Sequence, residues 1–596
     1  MRLKFPKYKT VKYIAKKIWQ RNIGGYSEKV FRISLMAVAT GVASAIFTIL
    51  FFEGFSAIFD YFFLNIYDYN ENRQSLFDMH DDWLLLLLVP TIGGLFIGIL
   101  NKFLLKGQSH GIMDLIHSVS MKQGKLSLKT GLSASLISMV SLGVGASSGK
   151  EGPAVYGASA ISSYISQYFN LAPNVRQILV ASAAAGAVAS SFNAPIAGVF
   201  FALEVVVGQF SATIFAPVCL AAIAATTVSR LYFGNSPAFS LPDYDISSYF
   251  EMPAFIFLGI ICAILAAIMI EAVKISQRQM ANMNKKLSLP NYLNPMIGGA
   301  LIGMIAMFFP EILGVGYGVA DNALAGQYGL YLLFIMGAAK FIATIITLSC
   351  GFAGGIFSPS VLLGIMMGGV FGIIASAIFP DLSSGSNVYM IVGMSAFAGS
   401  MLGAPMSTAL IVFEMTSNFN LAIAVLASTV VASQTLIRFS YPSYFGWQLR
   451  NKGLFIHKSG DRELSILHSK PITPIISPIT PIHQNLLLGD ICHEMDISGP
   501  DILCVIDGDE KFIGTISHID LPHNISDNEN IMAKNICHKW RRVLHEGDSL
   551  EKAMRLFEET AANEIPVVGK DKRLIGIIHA YDIIKEYHRT IRMLHL

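Results

Sequence analysis

A lysine and a glutamate stand side by side in Gly149-Lys150-Glu151-Gly152-Pro153, within a stretch that is almost bare of charge from about residue 130 to residue 226. At membrane depth an ionisable side chain is costly unless it is paired or lines a wet cavity, so such a residue is a candidate for function by default. The carboxylate can take up a proton, and glycines let a backbone approach a ligand closely. The chemistry open to this pentapeptide is therefore that of an ion or proton site. Its plain competitor is a Lys150–Glu151 pair resting at a water interface.

Composition makes depth the right frame. Of 596 residues, 53% are hydrophobic and only 14% charged, with a mean hydropathy of +0.54. Apolar segments of membrane-crossing length recur, among them Ile33 to Phe52, Trp83 to Leu100 and Phe255 to Ile270, which predicts a polytopic α-helical membrane protein. From about residue 455 the composition is that of an ordinary soluble domain. The expected organisation is a basic cytoplasmic segment over 1–30, a transmembrane domain over 31–450, a linker over 451–470 and a cytosolic domain over 471–596.

Charge distribution sets the expected orientation. The first 32 residues hold ten Lys or Arg against one acid, Glu28, so the positive-inside tendency places the N-terminus in the cytoplasm. A nucleic-acid arm is the alternative for such a basic run, and no nucleic-acid partner is expected here. No apolar signal-peptide core precedes residue 30, so insertion through the first membrane helix is expected, with the cell (inner) membrane as destination. Asp68, Glu71, Asp78, Asp81 and Asp82 against Arg73 suit an external loop, whereas Lys122, Lys125, Lys129, Lys274, Arg278, Lys285 and Lys286 suit cytoplasmic turns. Both termini then face the cytoplasm. The cysteines Cys219, Cys262, Cys350, Cys492, Cys504 and Cys537 show no CxxC spacing. Neither a disulfide framework nor a metal site is expected from them.

An internal repeat is readable by eye. Pro153 is followed 42 residues later by Ala194-Pro195 and, nine residues after that, by Glu204. Pro359 is followed 46 residues later by Ala404-Pro405 and, nine residues after that, by Glu414. In each half a glycine-rich segment, Gly149 to Pro153 or Gly354-Gly355-Ile356-Phe357-Ser358-Pro359, opens an apolar helix, with proline where its missing N–H is harmless. The segments Pro153 to Gln167 and Pro359 to Ile373 read as short, broken helices meeting near the bilayer midplane. Helix N-termini carry free N–H groups and partial positive charge, so the expected ligand is an anion.

These motifs, with Asn193-Ala194-Pro195 and Glu414-Met415-Thr416, resemble the signature elements of the CLC chloride channels and chloride/proton antiporters over roughly residues 30 to 450. The resemblance implies a homodimer with one chloride pathway per subunit, built from an inverted repeat, and no enzymatic activity. It implies that Glu151 is a gating glutamate whose carboxylate occupies an anion site and swings away when protonated or displaced. By the same resemblance Lys150, Gly152 and the backbone N–H groups of Ile356 and Phe357 belong to the anion site, and Tyr444 offers its hydroxyl. A lone tyrosine near a last membrane helix otherwise serves as an interfacial anchor.

Two positions depart from the family pattern. Ser109-His110-Gly111-Ile112-Met113 stands where the family commonly has Gly-Ser-Gly-Ile-Pro, with His110 in the place of the coordinating serine. The imidazole N–H can donate to chloride, Ser109 can supply a hydroxyl instead, or backbone N–H groups such as that of Gly111 face the ion alone. After Asn193-Ala194-Pro195, Val205 occupies the position of the antiporters' internal proton-transferring glutamate. Valine takes up no proton, so passive, channel-like conduction is favoured, with proton exchange by a non-standard path as the alternative. Glu204 faces another side of the helix and reads, like Glu414, as structural to the pathway.

The tail carries its own repeat, Phe512 to Asp520 and Leu574 to Asp582, with a glycine six residues before each aspartate and an offset of 62 residues. Apolar runs Ile502 to Ile506 and Ile565 to Val568 precede them, giving a β-α-β-β-α pattern that resembles a pair of CBS motifs. That resemblance nominates Asp520 and Asp582 for an adenine-nucleotide ribose, against the alternative that both aspartates cap helices. CBS pairs also accompany divalent-cation transporters, but such a pathway needs several inward hard-oxygen ligands, and the membrane region offers few. An intramembrane enzyme would need a nucleophile and a base on facing helices. Ser148 near Glu151 is a weak case for one.

Overall fold

The structure is a computed structural model describing residues 26–67, 82–235, 239, 246, 248–439, 441–452, 470–498, 502–517, 520–521, 530–539, 543–560, 562–569, 571–583 and 585–586. Most of the basic N-terminal arm, the acidic segment from Asp68 to Asp81 and most of the linker lie outside the described residues. The chain divides into two compact units, Met1–Lys452 and Gly453–Leu596.

The first unit is helical. In chain order its helices are α1 (Tyr26–Tyr67), α2 (Trp83–Leu104), α3 (Ile112–Met121), α4 (Leu128–Gly143), α5 (Glu151–Tyr168), α6 (Pro173–Phe192), α7 (Pro195–Phe201), α8 (Ala212–Phe233) and α9 (Met252–Leu287). They continue with α10 (Asn294–Ala306), α11 (Tyr317–Leu324), α12 (Leu330–Ser349), α13 (Phe357–Ile378), α14 (Ser386–Leu402), α15 (Pro405–Thr416), α16 (Phe419–Arg438) and α17 (Tyr444–Asn451). Among the described residues, eight helical stretches are long and apolar enough to cross a membrane. The three apolar segments read from sequence fall within α1, α2 and α9. With 42 and 36 residues, α1 and α9 exceed the roughly 20 residues that a bilayer core requires, so they tilt or project beyond it.

Both motif helices begin where the glycine-rich segments place them. Lys150 is the N-cap of α5 and Ile356 that of α13. Each helix has proline at its third position, where the missing N–H is one of the first-turn donors without a helical partner anyway. The expected shortness of the second one is corrected: α13 runs 22 residues to Ile378. Its glycines do not break it but admit α14. A Cβ on Gly364 would lie 2.3 Å from the Gly393 carbonyl oxygen, and one on Gly368 would lie 2.1 Å from that of Tyr389. In lipid, where apolar burial drives little association, such close backbone packing holds helices together.

The second unit folds as two three-stranded sheets of matching topology. In the first, β1 (Ile482–His483) pairs parallel with β2 (Ile502–Ile506), which pairs antiparallel with β3 (Phe512–Ser517). In the second, β4 (Leu544–His545), β5 (Glu564–Val568) and β6 (Leu574–His579) repeat that order. Helices α18 (Leu488–Ser498) and α20 (Leu550–Thr560) lie between the first and second strands of each, and the single-turn α19 (Ala533–Ile536) follows β3. The repeat glycines are equivalent in space. Gly514 is opposite Val505 and Gly576 opposite Val567, and a Cβ on either would collide with a carbonyl oxygen, of His538 at 2.2 Å or Ser477 at 2.4 Å. Each sheet buries its own apolar cluster, one around Ile491, Leu503 and Ile516, the other around Leu550, Ile565 and Ile578.

Cys504 sits inside β2 without exposure, and burial pushes its thiol up to about 12, while Cys492 and Cys537 keep partial access to solvent. In native protein at about pH 8, iodoacetamide should therefore modify Cys492 and Cys537 well before Cys504, because only the thiolate reacts. Mass spectrometry of the labelled peptides reads this order. Equal labelling of Cys504 without denaturant would contradict the β2–β3 packing.

Candidate functional site

The site is built on a backbone pair between the two repeat motifs. Gly149 N–H donates to the Gly355 carbonyl at 2.7 Å and Gly355 N–H donates to the Gly149 carbonyl at 2.8 Å. The approach tolerates no side chain: a Cβ on Gly354 would lie 2.1 Å from Ser148 Oγ, and one on Gly149 would lie 2.9 Å from Ser358 N. The starts of α5 and α13 are thereby held together. Ile112, the first residue of α3, comes within 3.7 Å of the Cβ position on Gly152. Three helix starts thus converge.

Glu151 is 1% exposed. Its carboxylate accepts from Ser358 Oγ, at 2.7 Å from Oε1 and 2.6 Å from Oε2, and from Tyr317 Oη at 2.6 Å from Oε1. Ser358 is the second residue of α13, so the carboxylate lies against a helix N-terminus, where the dipole and unpaired N–H groups favour negative charge. Lys150 turns to aromatic faces, its Nζ 4.0 Å from the centroid of Phe52, 4.5 Å from that of Tyr317 and 5.7 Å from that of Phe55. Such ring faces attract an ammonium electrostatically. A buried lysine, Lys340 of α12, donates to the carbonyls of Ile312 at 2.8 Å and Gly314 at 2.9 Å. Those carbonyls belong to the loop that delivers Tyr317 at the start of α11, so Lys340 props the residue that touches Glu151.

The other candidates gather around the start of α3. The ring of His110 lies parallel to that of Tyr156, at 1° and 6.4 Å, and Tyr156 is five residues along α5 from Glu151, about 7.5 Å at 1.5 Å per residue. His110 Nδ1 is 3.1 Å from Asp114 Oδ2, which also accepts from Gly111 N–H at 3.3 Å, while Asp114 Oδ1 faces Lys452 Nζ at 3.4 Å. One imidazole nitrogen is thus committed to Asp114. Ser109 is exposed. Ile356 and Phe357 are buried at the start of α13, with the ring of Phe357 centred 4.8 Å from that of Phe192 and tilted 35° to it. Tyr444 is buried as the first residue of α17, its ring 5.6 Å from Trp447.

Glu204 and Glu414 are brought into a reciprocal arrangement. Glu414 accepts from the N–H groups of Ile196 and Ala197 at 2.9 and 2.7 Å, capping α7, and Glu204 accepts from those of Met406 and Ser407 at 3.2 and 3.0 Å, capping α15. Each repeat half supplies the acid that caps the other's short helix, which satisfies donors left without intrahelical partners. Val205 is buried within a π-helical turn, Ala202–Val207, that continues α7.

Tyr317, the hydroxyl of Ser358, Lys340 and Asp114 escaped the sequence reading. Lys340 carried a signal, a single charge in the apolar run of α12, and Asp114 lies one turn from His110. Tyr317 carried only its place after Gly314-Val315-Gly316. In the second unit, Asp520 Oδ2 accepts from Ser517 N–H and Oγ at 2.8 and 2.7 Å, and its Oδ1 lies 3.2 Å from His538 Nε2. That carboxylate is held by Ser517 and His538. Asp582 is partly buried.

Comparison with known proteins places this geometry. The family profile described as voltage gated chloride channel matches residues 93–436, and the CBS domain profile matches residues 529–589. The chain is 25% identical to the chloride channel protein CLC-f of Arabidopsis thaliana, over 95% of this chain and 82% of that protein. It is 30% identical to the H(+)/Cl(-) exchange transporter ClcA of Vibrio cholerae, over 49% of this chain and 64% of that protein. Among solved structures, a slow cyanobacterial Cl-/H+ antiporter shares the fold with a TM-score of 0.62 at 20% identity, over 71% of this chain and 98% of that one. A eukaryotic CLC transporter does so with a TM-score of 0.61 at 18% identity, over 93% and 98%.

The reciprocal caps have a measurable consequence. Glu204→Ala and Glu414→Ala each strip the acceptor from two backbone N–H groups, a loss of about 1–3 kcal/mol. Thermal unfolding in detergent should show comparable drops for the two variants. A drop for one and none for the other would contradict the reciprocity.

Proposed function

The chain belongs to the voltage gated chloride channel family, and from that premise we propose that it carries chloride across a membrane, one pathway per subunit of a homodimer, with the Glu151 carboxylate as the gate. The observation that carries this reading is the carboxylate's seat. It rests at the N-terminus of α13 beside buried hydroxyl donors, a position equally suited to a halide. A carboxylate and a chloride ion cannot share it, so occupancy by one excludes the other. Protonation removes the charge that holds the carboxylate there and releases the seat. Lys150, Gly152, the N–H groups of Ile356 and Phe357, Gly111, His110 or Ser109, and Tyr444 serve the anion along the same pathway.

Val205 supports passive conduction, since no carboxylate occupies its place. Proton-coupled exchange is the second reading. The titratable His110 and Asp114 favour it, because α3 packs against the π-helical turn that holds Val205 and gives a proton another stopping point. Ile196, Leu220, Ile223, Met406, Ile423 and Leu426 stay exposed on α7, α8, α15 and α16, apolar surface for a second copy of the chain. The transmembrane domain extends over 31–450, with the basic segment 1–30, the linker 451–470 and the CBS pair 471–596 on the cytoplasmic side of the cell membrane. An adenine nucleotide at the pair would use Asp582, with Asp520 released from its turn.

Purified protein in liposomes should release chloride down its gradient with a rate that rises on acidification. Glu151→Gln should abolish that rise, which for a single titrating group reaches about tenfold per pH unit. Absence of anion flux alongside divalent-cation uptake would overturn the assignment. Sustained uphill proton movement driven by a chloride gradient would replace passive conduction with exchange.

A further inference from the structure

We propose that Tyr317 and Ser358 are positioning residues that clamp the gating carboxylate through their hydroxyls and so set the pH at which it lets go. This rests on the reading of Glu151 as the gate and adds the parts that hold the gate shut. Both hydroxyls lie 2.6–2.7 Å from carboxylate oxygens, the short separation of charge-assisted bonds from O–H to an ionised acceptor. They come from elements remote in sequence, α11 and α13, and reach Glu151 at the start of α5. An ionised carboxylate accepts from both. A protonated one carries its own hydrogen and has lost the charge that made these bonds strong, so the clamp favours the charged, seated state.

The clamp is uncharged, and that matters for its release. The charged groups around it are Lys150 on the carboxylate's own helix start, Lys340 on α12 and Asp321 one turn along α11. Lys150 Nζ is taken up by ring faces and Lys340 Nζ by two loop carbonyls. The direct contacts of the carboxylate are therefore neutral donors, strong enough to hold it and weak enough to be outcompeted by a proton or an entering anion. Tyr317 has a second task, because its ring covers Lys150 at 4.5 Å. Tyr317→Phe keeps that ring and removes only the bond to Glu151.

Chloride efflux from proteoliposomes, measured across external pH, tests the clamp with Tyr317→Phe, Ser358→Ala and Glu151→Gln beside the unaltered protein. Each hydroxyl bonds the ionised, seated carboxylate more strongly than the protonated one, so removing it should favour release. The midpoint of activation should move up by about half to one pH unit in each single variant, the equivalent of one net hydrogen bond. A purely structural role would scale flux at all pH values and leave the midpoint in place. If Glu151→Gln flattens the profile while both hydroxyl variants keep the original midpoint, the clamp is wrong and the gate stands. If Glu151→Gln itself keeps the original profile, the gate reading fails and the clamp fails with it.

Discussion

The paired backbone hydrogen bonds between Gly149 and Gly355 are the constraint on which the rest of the first unit depends. They hold two helix N-termini at a separation that no side chain would permit, and they bring Ser358 of one repeat half to Glu151 of the other. Everything chemical about the site follows from that contact. A helix end buried away from water must find partners for its free N–H groups, and two such ends placed together favour negative charge between them.

The charged groups around the two repeat motifs are met by neutral dipoles and ring faces more than by opposite charge. Glu151 takes hydroxyls, Lys150 takes aromatic rings, Lys340 takes carbonyls, and Glu204 and Glu414 take backbone N–H groups. Direct ion pairs inside the bilayer would fix each charge against a partner and demand that both move together. Neutral partners leave each charge singly held. For Glu204 and Glu414 the holding is permanent and architectural, whereas for Glu151 it involves side-chain hydroxyls that can rotate away.

The repeat was legible in spacing alone because each half must place a proline, an Ala-Pro turn and an acid at the same structural positions. What spacing left open was why the acids stand nine residues after the prolines. The reciprocal capping of α7 by Glu414 and of α15 by Glu204 supplies the reason, since an acid at that distance reaches the opposite helix start. The second helix of the pair, α13, runs on past Ile373 to Ile378, and only the packing of α14 against Gly364 and Gly368 shows that these glycines are contact points. The tail's repeat was equally visible, yet the commitment of Asp520 to Ser517 and His538 depends on a turn geometry that no spacing encodes.

By itself the sequence determined the membrane class, the two-unit organisation and the repeat, and singled out Glu151 as a candidate, because hydropathy and glycine–proline punctuation act locally and leave a linear record. Only the tertiary structure decided what touches that carboxylate. Tyr317 lies 166 residues and Ser358 207 residues from Glu151 along the chain, and both arrive by the meeting of elements whose local sequences show no sign of it. A hydroxyl among apolar neighbours is unremarkable in a linear record. It becomes a clamp only when folding aims it at a charge.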